Sequence, residues 1–169
     1  MFFEQGASAD DLLQAYIESL EHVHEPSTEM QPGDDLALLA VYVTLAKSSS
    51  VENLIQAAAI ASYACEKSAR AYKLRLLLIR LLLRLGCLKL AVYHFDALEL
   101  KAVQLDTMSH YLLDRNASFG GSHAADVGNH WESGIKDFYE LSAFEVPEAL
   151  GRAFPVSYTH LRAHETVLD

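Results

Sequence analysis

The sequence predicts an all-α fold built from antiparallel helical hairpins, and three observations support this prediction. Apolar residues recur at helical spacing in one segment after another. Short turns containing Ser, Gly or Pro separate these segments. No segment alternates polar and apolar residues over the length of a strand, so we expect no β-sheet. Hydrophobic residues make up 51% of the chain, which is enough to form a packed core.

The first predicted helix covers residues 9–24. Its apolar residues recur at intervals of four and form one face. Ser8 is a suitable N-cap, and Asp11 stands three residues later, at the spacing of a capping box. The polar stretch 24–33 contains two prolines and is interpreted as a linker.

Two helices are predicted after this linker, at 34–47 and at 51–70. The serines at 48–50 end the first of them and provide an N-cap for the second. The second is rich in small residues that permit close approach of neighbouring helices: Ala57, Ala58, Ala59, Ala61 and Ala64.

A Leu-rich helix at 72–85 and another helix at 88–98 form the next predicted pair. Gly86 ends the Leu-rich helix, as glycine does just beyond a helix C-terminus. The boundary before residue 72 contains no strong helix breaker. A single helix continuing from residue 51 therefore stays open as an alternative.

The second half of the chain is less strongly patterned. Asp106 or Thr107 is expected to cap a helix that extends to about residue 119. Residues 126–139 are expected to be partly helical, and Pro147 allows a short helix at 146–152.

The alternation of helix, short turn and helix in units of roughly 30–40 residues predicts a tetratricopeptide-like solenoid. Around Gly86, Ala91 and Phe95 stand four residues apart, which is the small-then-aromatic pattern of the second helix of such a repeat. Leu78 and Leu82 occupy apolar positions of the first helix. Ile79 replaces the small residue of the consensus, so the repeat is degenerate.

Charge is unevenly distributed along a chain whose net charge is −10. Residues 1–66 contain eleven acidic residues and one basic residue, whereas residues 67–101 contain eight basic residues and two acidic ones. The overall charge argues against a dedicated nucleic-acid binder, and we expect no DNA partner. The basic stretch can nevertheless contact a local anionic surface.

The sequence indicates a cytoplasmic protein without membrane spans. Cationic residues interrupt the most apolar window, 74–90, which makes it a poor membrane span, and the N-terminal residues do not resemble a signal peptide. Cys65 and Cys87 form no disulfide framework, and both are expected to pack as small core residues.

Three basic residues of the Leu-rich helix form a candidate partner-binding stripe. Lys73, Arg80 and Arg84 fall within a sector of about 40° at roughly 100° per residue, while Arg75 lies away from them. Such a stripe can bind the phosphates of ribosomal RNA or an acidic partner. It can equally pair with acidic residues of this chain or solvate an apolar helix.

Other polar clusters give no convincing site, and we predict no catalytic, cofactor-binding or metal-binding residues. His160 and His164 are spaced four apart but lack the His-Glu-x-x-His pattern of a zinc helix. Trp131 and Phe138 are interpreted as packing residues. One loop cluster without a nucleophile carries the hypothesis of a small helical enzyme: His123, Asp126, His130 and Glu132.

A composite of several segments resembles the non-catalytic auxiliary subunit of the NatB N-terminal acetyltransferase complex. The segments are the Leu-rich helix ending in Leu-Gly at 72–86, the residues 91–95, and the apolar helix at 101–113. Val103–Thr107 matches the family's turn, in which Ile or Val is followed by Gln-x-Asp-Thr, and residues 32–39 resemble the entry to the helices in fungal members. The resemblance covers roughly residues 30–150.

The resemblance implies a non-enzymatic scaffold. Family members are large tetratricopeptide-like superhelices that wrap a small catalytic subunit and dock it near the ribosomal exit tunnel. The catalytic subunit binds acetyl-CoA and acetylates nascent chains beginning Met-Asp, Met-Glu, Met-Asn or Met-Gln. Its pyrophosphate-binding loop has no match in this chain, so no cofactor is expected here. The alternative is a stand-alone tetratricopeptide-like adaptor that binds short peptides.

We divide the chain into an N-terminal helix and linker at 1–33, a helical repeat fragment at 34–154, and a tail at 155–169. The tail resembles a translated library adaptor and is expected to be non-native. The native protein is expected to continue into further repeats.

Overall fold

The computed structural model describes residues 8–21, 31–114 and 135–154, and these ranges contain helices and turns but no strand. The prediction of an all-α fold is therefore confirmed. Successive helices pack mainly on their neighbours in the chain, as in a solenoid. The helices are α1 Ala9–Leu20, α2 Asp34–Lys47, α3 Val51–Lys67, α4 Tyr72–Arg84, α5 Leu88–Asp96, α6 Ala102–Met108, α7 His110–Leu113 and α8 135–154.

Helix α1 begins with the predicted capping box. The backbone N–H of Asp11 donates to Ser8 Oγ at 3.2 Å, and the backbone N–H of Ser8 donates to Asp11 Oδ2 at 3.1 Å. The helix ends at Leu20, earlier than the predicted residue 24. Tyr16 is fully buried and packs edge-on against Tyr63 of α3, so α1 belongs to the core.

A buried polar network connects the start of α2 with the turn after α3. Asp34 Oδ2 accepts hydrogen bonds from the Gln31 backbone N–H and from Ser68 Oγ, at 3.1 and 2.8 Å. The Gln31 side-chain amide donates to the carbonyl oxygen of Lys67 at 3.2 Å. Because buried polar groups are costly without partners, these bonds fix where α2 begins relative to α3.

Small residues form the interface of α3, as predicted for four of the five alanines. Ala57, Ala58, Ala61 and Ala64 are buried, whereas Ala59 faces solvent. Helix α3 ends at Lys67, and residues 68–71 interrupt it before α4 begins. The alternative of one continuous helix from residue 51 to 85 is therefore wrong.

The hairpin of α4 and α5 has the packing that the repeat pattern predicts. Leu78 and Leu82 on α4 are buried together with Ala91 and Phe95 on α5. Ile79 is also fully buried, so the core accommodates a larger residue where the consensus has a small one.

Gly86 forms the predicted helix stop. Its φ of 79° lies in the left-handed region, which glycine adopts without a Cβ penalty. The Gly86 N–H donates to the carbonyl oxygen of Leu83 at 3.3 Å. The Cys87 N–H donates to the carbonyl oxygen of Leu82 at 2.8 Å. These two bonds constitute a Schellman motif. Cys65 is buried, but Cys87 is exposed because the helix has already ended, so the expected core position of Cys87 is wrong.

The predicted cap at Asp106 or Thr107 is also wrong, because both residues lie inside α6. The helix begins at Ala102, where the backbone N–H of Lys101 donates to Gln104 Oε1 at 3.2 Å. Helix α7 then ends at Leu113, short of the predicted residue 119, and residues 115–134 are outside the described ranges.

One helix, α8, replaces the two segments expected around residues 126–139 and 146–152. It continues through Pro147, although a proline inside a helix removes one backbone hydrogen bond. Ion pairs four residues apart support both ends, between Lys136 and Glu140 and between Glu148 and Arg152. The remainder of residues 126–139, before residue 135, lies outside the described ranges.

Helix α8 contacts the rest of the fold mainly through its first residues. Ile135 packs against the core, and the Tyr139 hydroxyl donates to Asp106 Oδ1 at 2.7 Å. Most of its later residues are exposed. Within the described ranges, no helix has both the length and the apolar character needed to cross a membrane.

Candidate partner-binding surface

Helix α4 carries basic residues on two opposite sides, and the predicted stripe lies on the outer one. Lys73, Arg80 and Arg84 are all exposed. At 1.5 Å per residue, Lys73 stands about 10 Å along the helix from Arg80, whereas Arg80 and Arg84 are about 6 Å apart. The stripe therefore consists of a separate lysine and a pair of arginines.

Lys73 already has an intramolecular partner. Its Nζ lies 3.7 Å from Asp35 Oδ1 on α2, and both side chains are mostly exposed. Such surface ion pairs contribute little to stability because water and salt screen them. Lys73 therefore pairs with an acidic residue of this chain, which is one of the alternatives that the sequence left open.

Arg80 and Arg84 line one cleft of about 370 Å³ between α2, α4 and α7. The Arg80 guanidinium lies 5.6 Å from the centre of the Tyr111 ring, within the range of a cation–π interaction. Leu45 and Leu77 form apolar parts of the wall. Within the described ranges neither arginine forms an ion pair, so both retain hydrogen-bond donors for an anionic partner.

The inner side of α4 lines a second cleft, which the sequence patterns did not predict. Arg75 lies about 160° around the helix from Lys73 and is only 7% exposed. One terminal nitrogen of Arg75 donates to the carbonyl oxygens of Cys65 and Ala69, both at a long 3.5 Å. Its Nε has no hydrogen-bond partner among the described residues.

His94 of α5 lines the same inner cleft, whose volume is about 610 Å³. It is 5% exposed, and its Nδ1 also lacks a hydrogen-bond partner among the described residues. A signal for both residues was present in the sequence. Arg75 stands opposite the stripe, and His94 follows Ala91 by three residues on the buried face of α5.

Burial also sets the charges in this inner cleft. It lowers the pKa of His94, and the positive charge of Arg75 lowers that pKa further. Burial raises the pKa of the Cys65 thiol to about 11. Near neutral pH, the buried wall of the cleft therefore contains a neutral imidazole, a protonated and unreactive thiol, and the permanent charge of Arg75.

The described residues contain no group of three or more His, Cys, Asp or Glu that could hold a metal ion. The loop cluster of His123, Asp126, His130 and Glu132 lies outside the described residues, as do the pair His160 and His164 and the aromatic residue Trp131. Phe138, the other residue interpreted as packing, is half-buried next to Tyr139.

Stacked helical hairpins with clefts along one helix define the class of protein, which is an all-α, tetratricopeptide-like scaffold. Comparison with known families then identifies the chain: it belongs to the family of the N-acetyltransferase B complex (NatB) non catalytic subunit, whose model matches residues 4–159. The chain is therefore part of the non-catalytic subunit family and is not itself the catalytic enzyme. The match begins earlier than the expected residue 30 and so includes α1.

One curated relative is the N-terminal acetyltransferase B complex subunit arm1 of Schizosaccharomyces pombe, which is 26% identical over 139 residues. The alignment covers 82% of this chain and 15% of the relative, so the chain spans a small part of that protein's length. No solved structure gave a significant match.

Proposed function

We propose that this chain is a structural segment of a NatB auxiliary subunit that supports the catalytic subunit and contributes to ribosome association in the cytoplasm. The observation that carries the proposal is the family match over nearly the whole chain. The stacked hairpins support it, because solenoids of this kind present extended binding surfaces. In this proposal acetyl-CoA is bound by the catalytic subunit, and this chain binds no cofactor.

The arginine pair of the stripe is proposed as the contact with ribosomal RNA. Arg80 and Arg84 face solvent in one cleft, and neither is neutralised by an ion pair within the described ranges. Guanidinium groups bind phosphates through two parallel hydrogen bonds, which suits an RNA backbone. Lys73 is expected to contribute less, because Asp35 already balances its charge.

Co-expression with a NatB catalytic subunit tests the scaffold role. The longest natural protein that contains this chain is expected to co-purify with a tagged catalytic subunit. A complex that never forms with the longest natural form would contradict the proposal. An unrelated acetyltransferase subunit with the same tag serves as the control.

Charge reversal tests the RNA contact. Replacing Arg80 and Arg84 with Glu is expected to weaken co-sedimentation with purified ribosomes by tenfold or more. The slope of log affinity against log salt should also fall by about 1.5, since two phosphate contacts are lost. Lys89→Glu combined with Lys101→Glu changes the net charge equally at other exposed positions. Equal losses in both double variants would show that only net charge matters.

A further inference from the structure

Arg75 is a buried cation without a carboxylate partner among the residues that the structure describes. Its side chain is packed between α3, α4 and α5, and its hydrogen bonds within the described residues are the two long ones to carbonyl oxygens. Removing a guanidinium from water is energetically unfavourable unless an opposite charge or good hydrogen bonds compensate it. An unpaired donor at Nε adds to this cost. An apolar side chain would meet the packing requirements of the hairpins at this position, so packing alone does not explain why a cation is buried here.

The inner cleft has the composition of a binding pocket for one negative charge. Arg75 and His94 provide unpaired polar atoms at its buried wall, and Glu66, Glu99 and Arg70 are exposed residues at its edge. No ion pair joins Arg75 to Glu66 or to Glu99. Arg70 and Arg75 balance the two glutamates, so the lining has no excess positive charge for a dianion such as phosphate, whereas a single carboxylate matches the single buried positive charge.

The rim of the cleft favours a protein as the source of that carboxylate. Tyr93 is 65% exposed and Leu90 is 45% exposed on α5, and the exposed Tyr72 lines the same cleft from α4. Exposed aromatic and aliphatic side chains around a buried arginine are typical of the energetically important centre of protein interfaces. A free small anion would gain nothing from this apolar rim.

We infer that the inner cleft binds an acidic side chain of a partner protein, whose carboxylate accepts hydrogen bonds from Arg75 and His94 while the neighbouring partner residues pack on Tyr93 and Leu90. This inference does not depend on the proposed NatB role or on the RNA contact. Arg75 lies on the opposite side of α4 from Arg80 and Arg84, so each contact can be lost separately.

A peptide selection with the whole chain tests the inference. Random nonapeptides displayed on phage are selected on the immobilised chain, and the enriched peptides are synthesised with each Asp or Glu in turn replaced by Asn or Gln. We expect one acidic position to be required, with at least tenfold weaker binding of its amide version. Arg75→Met should abolish this preference, whereas Arg84→Met, a matched change on the outer side of α4, should leave it intact.

A second readout uses the unmodified chain, so that misfolding of a variant cannot obscure the result. The Arg75 Nε–H and His94 ring resonances should shift on addition of the acidic peptide and stay in place with its amide version. Failure to enrich acidic peptides, or resonances that do not respond, would overturn the inference. Stronger competition by inorganic phosphate or a phosphopeptide than by the acidic peptide would overturn it as well.

Discussion

The two sides of α4 carry the same type of residue in opposite environments. On the outer side, Arg80 and Arg84 extend into solvent beside the Tyr111 ring. On the inner side, Arg75 is almost fully buried against α3 and α5. The exposed arginines keep most of their hydration, whereas Arg75 has exchanged water for two distant carbonyl oxygens. Position around the helix, and not residue type, therefore decides which arginine is costly for folding.

Some buried residues of the α4–α5 hairpin stabilise the fold, whereas others reduce its stability. Leucines, Ile79, Ala91 and Phe95 account for the core of the α4–α5 hairpin. Arg75 and His94 interrupt that core with polar atoms that the described residues leave unpaired. Groups of this kind that persist in a core are candidates for a functional role, because they reduce stability.

The largest expected effect is on the core that both sides of α4 share. Phe95→Ala should lower the free energy of unfolding by about 3–5 kcal/mol, because Phe95 is 1% exposed and a cavity would replace its ring. Urea denaturation followed by circular dichroism measures this. A loss below about 1 kcal/mol would mean that the hairpin does not pack as described.

A smaller loss of stability is expected from a change in α3, which packs against the inner side of α4. Ala61→Leu should cost about 1–3 kcal/mol, since Ala61 is fully buried at a close helix contact and the added atoms have no space. Ala59→Leu is the matched control on the same helix, and it should be nearly neutral because Ala59 is exposed. Equal effects of the two changes would contradict the assigned orientation of α3.

Arg75→Met should increase the free energy of unfolding by about 1 kcal/mol, since it removes a buried unpaired charge and retains an apolar chain of similar length. Arg84→Met, on the outer side, should change it by less than about 0.5 kcal/mol. Thermal and urea unfolding of both variants check this contrast. A marked destabilisation by Arg75→Met would show that Arg75 stabilises the fold. It would contradict the interpretation of Arg75 as an uncompensated buried charge.

The smallest effect is a pH dependence from His94. Its pKa is lowered in the folded state, so the unfolded chain binds a proton more readily below the ordinary histidine pKa of 6.5. The contribution of the neutral imidazole to the free energy of unfolding is therefore fully present above pH 6.5. It declines as the pH falls from that value toward the pKa of His94 in the folded state. His94→Gln should reduce the loss of stability between pH 7.5 and pH 5.5. An unchanged pH slope in urea unfolding would argue against burial of a neutral His94.

Sequence patterns determined most of the fold because the strongest local signals coincide with the packing. The Ser8 capping box, Gly86 and the spacing of Ala91 and Phe95 each predicted a feature that the structure confirms. The errors occur where local signals compete. Asp106 and Thr107 are good caps, yet Gln104 caps the helix from inside, and Pro147 does not interrupt α8.

The candidate sites were less accessible from sequence. The position of Lys73, Arg80 and Arg84 on one side of α4 followed from their spacing, but the ion pair of Lys73 with Asp35 depends on the packing of α2 against α4. The spacing placed Arg75 away from the stripe, but it could not show that α3 and α5 enclose this side of α4.

A crossed binding measurement on two α4 variants tests most directly whether the two sides of α4 have separate roles. Arg75→Met and the double change of Arg80 and Arg84 to Gln are each titrated with the selected acidic peptide and with purified ribosomes. We expect Arg75→Met to lose only binding of the peptide and the double variant to lose only binding of the ribosome. If both variants lost the same ligand, or if neither lost any, the two sides of α4 would not have the separate roles assigned to them.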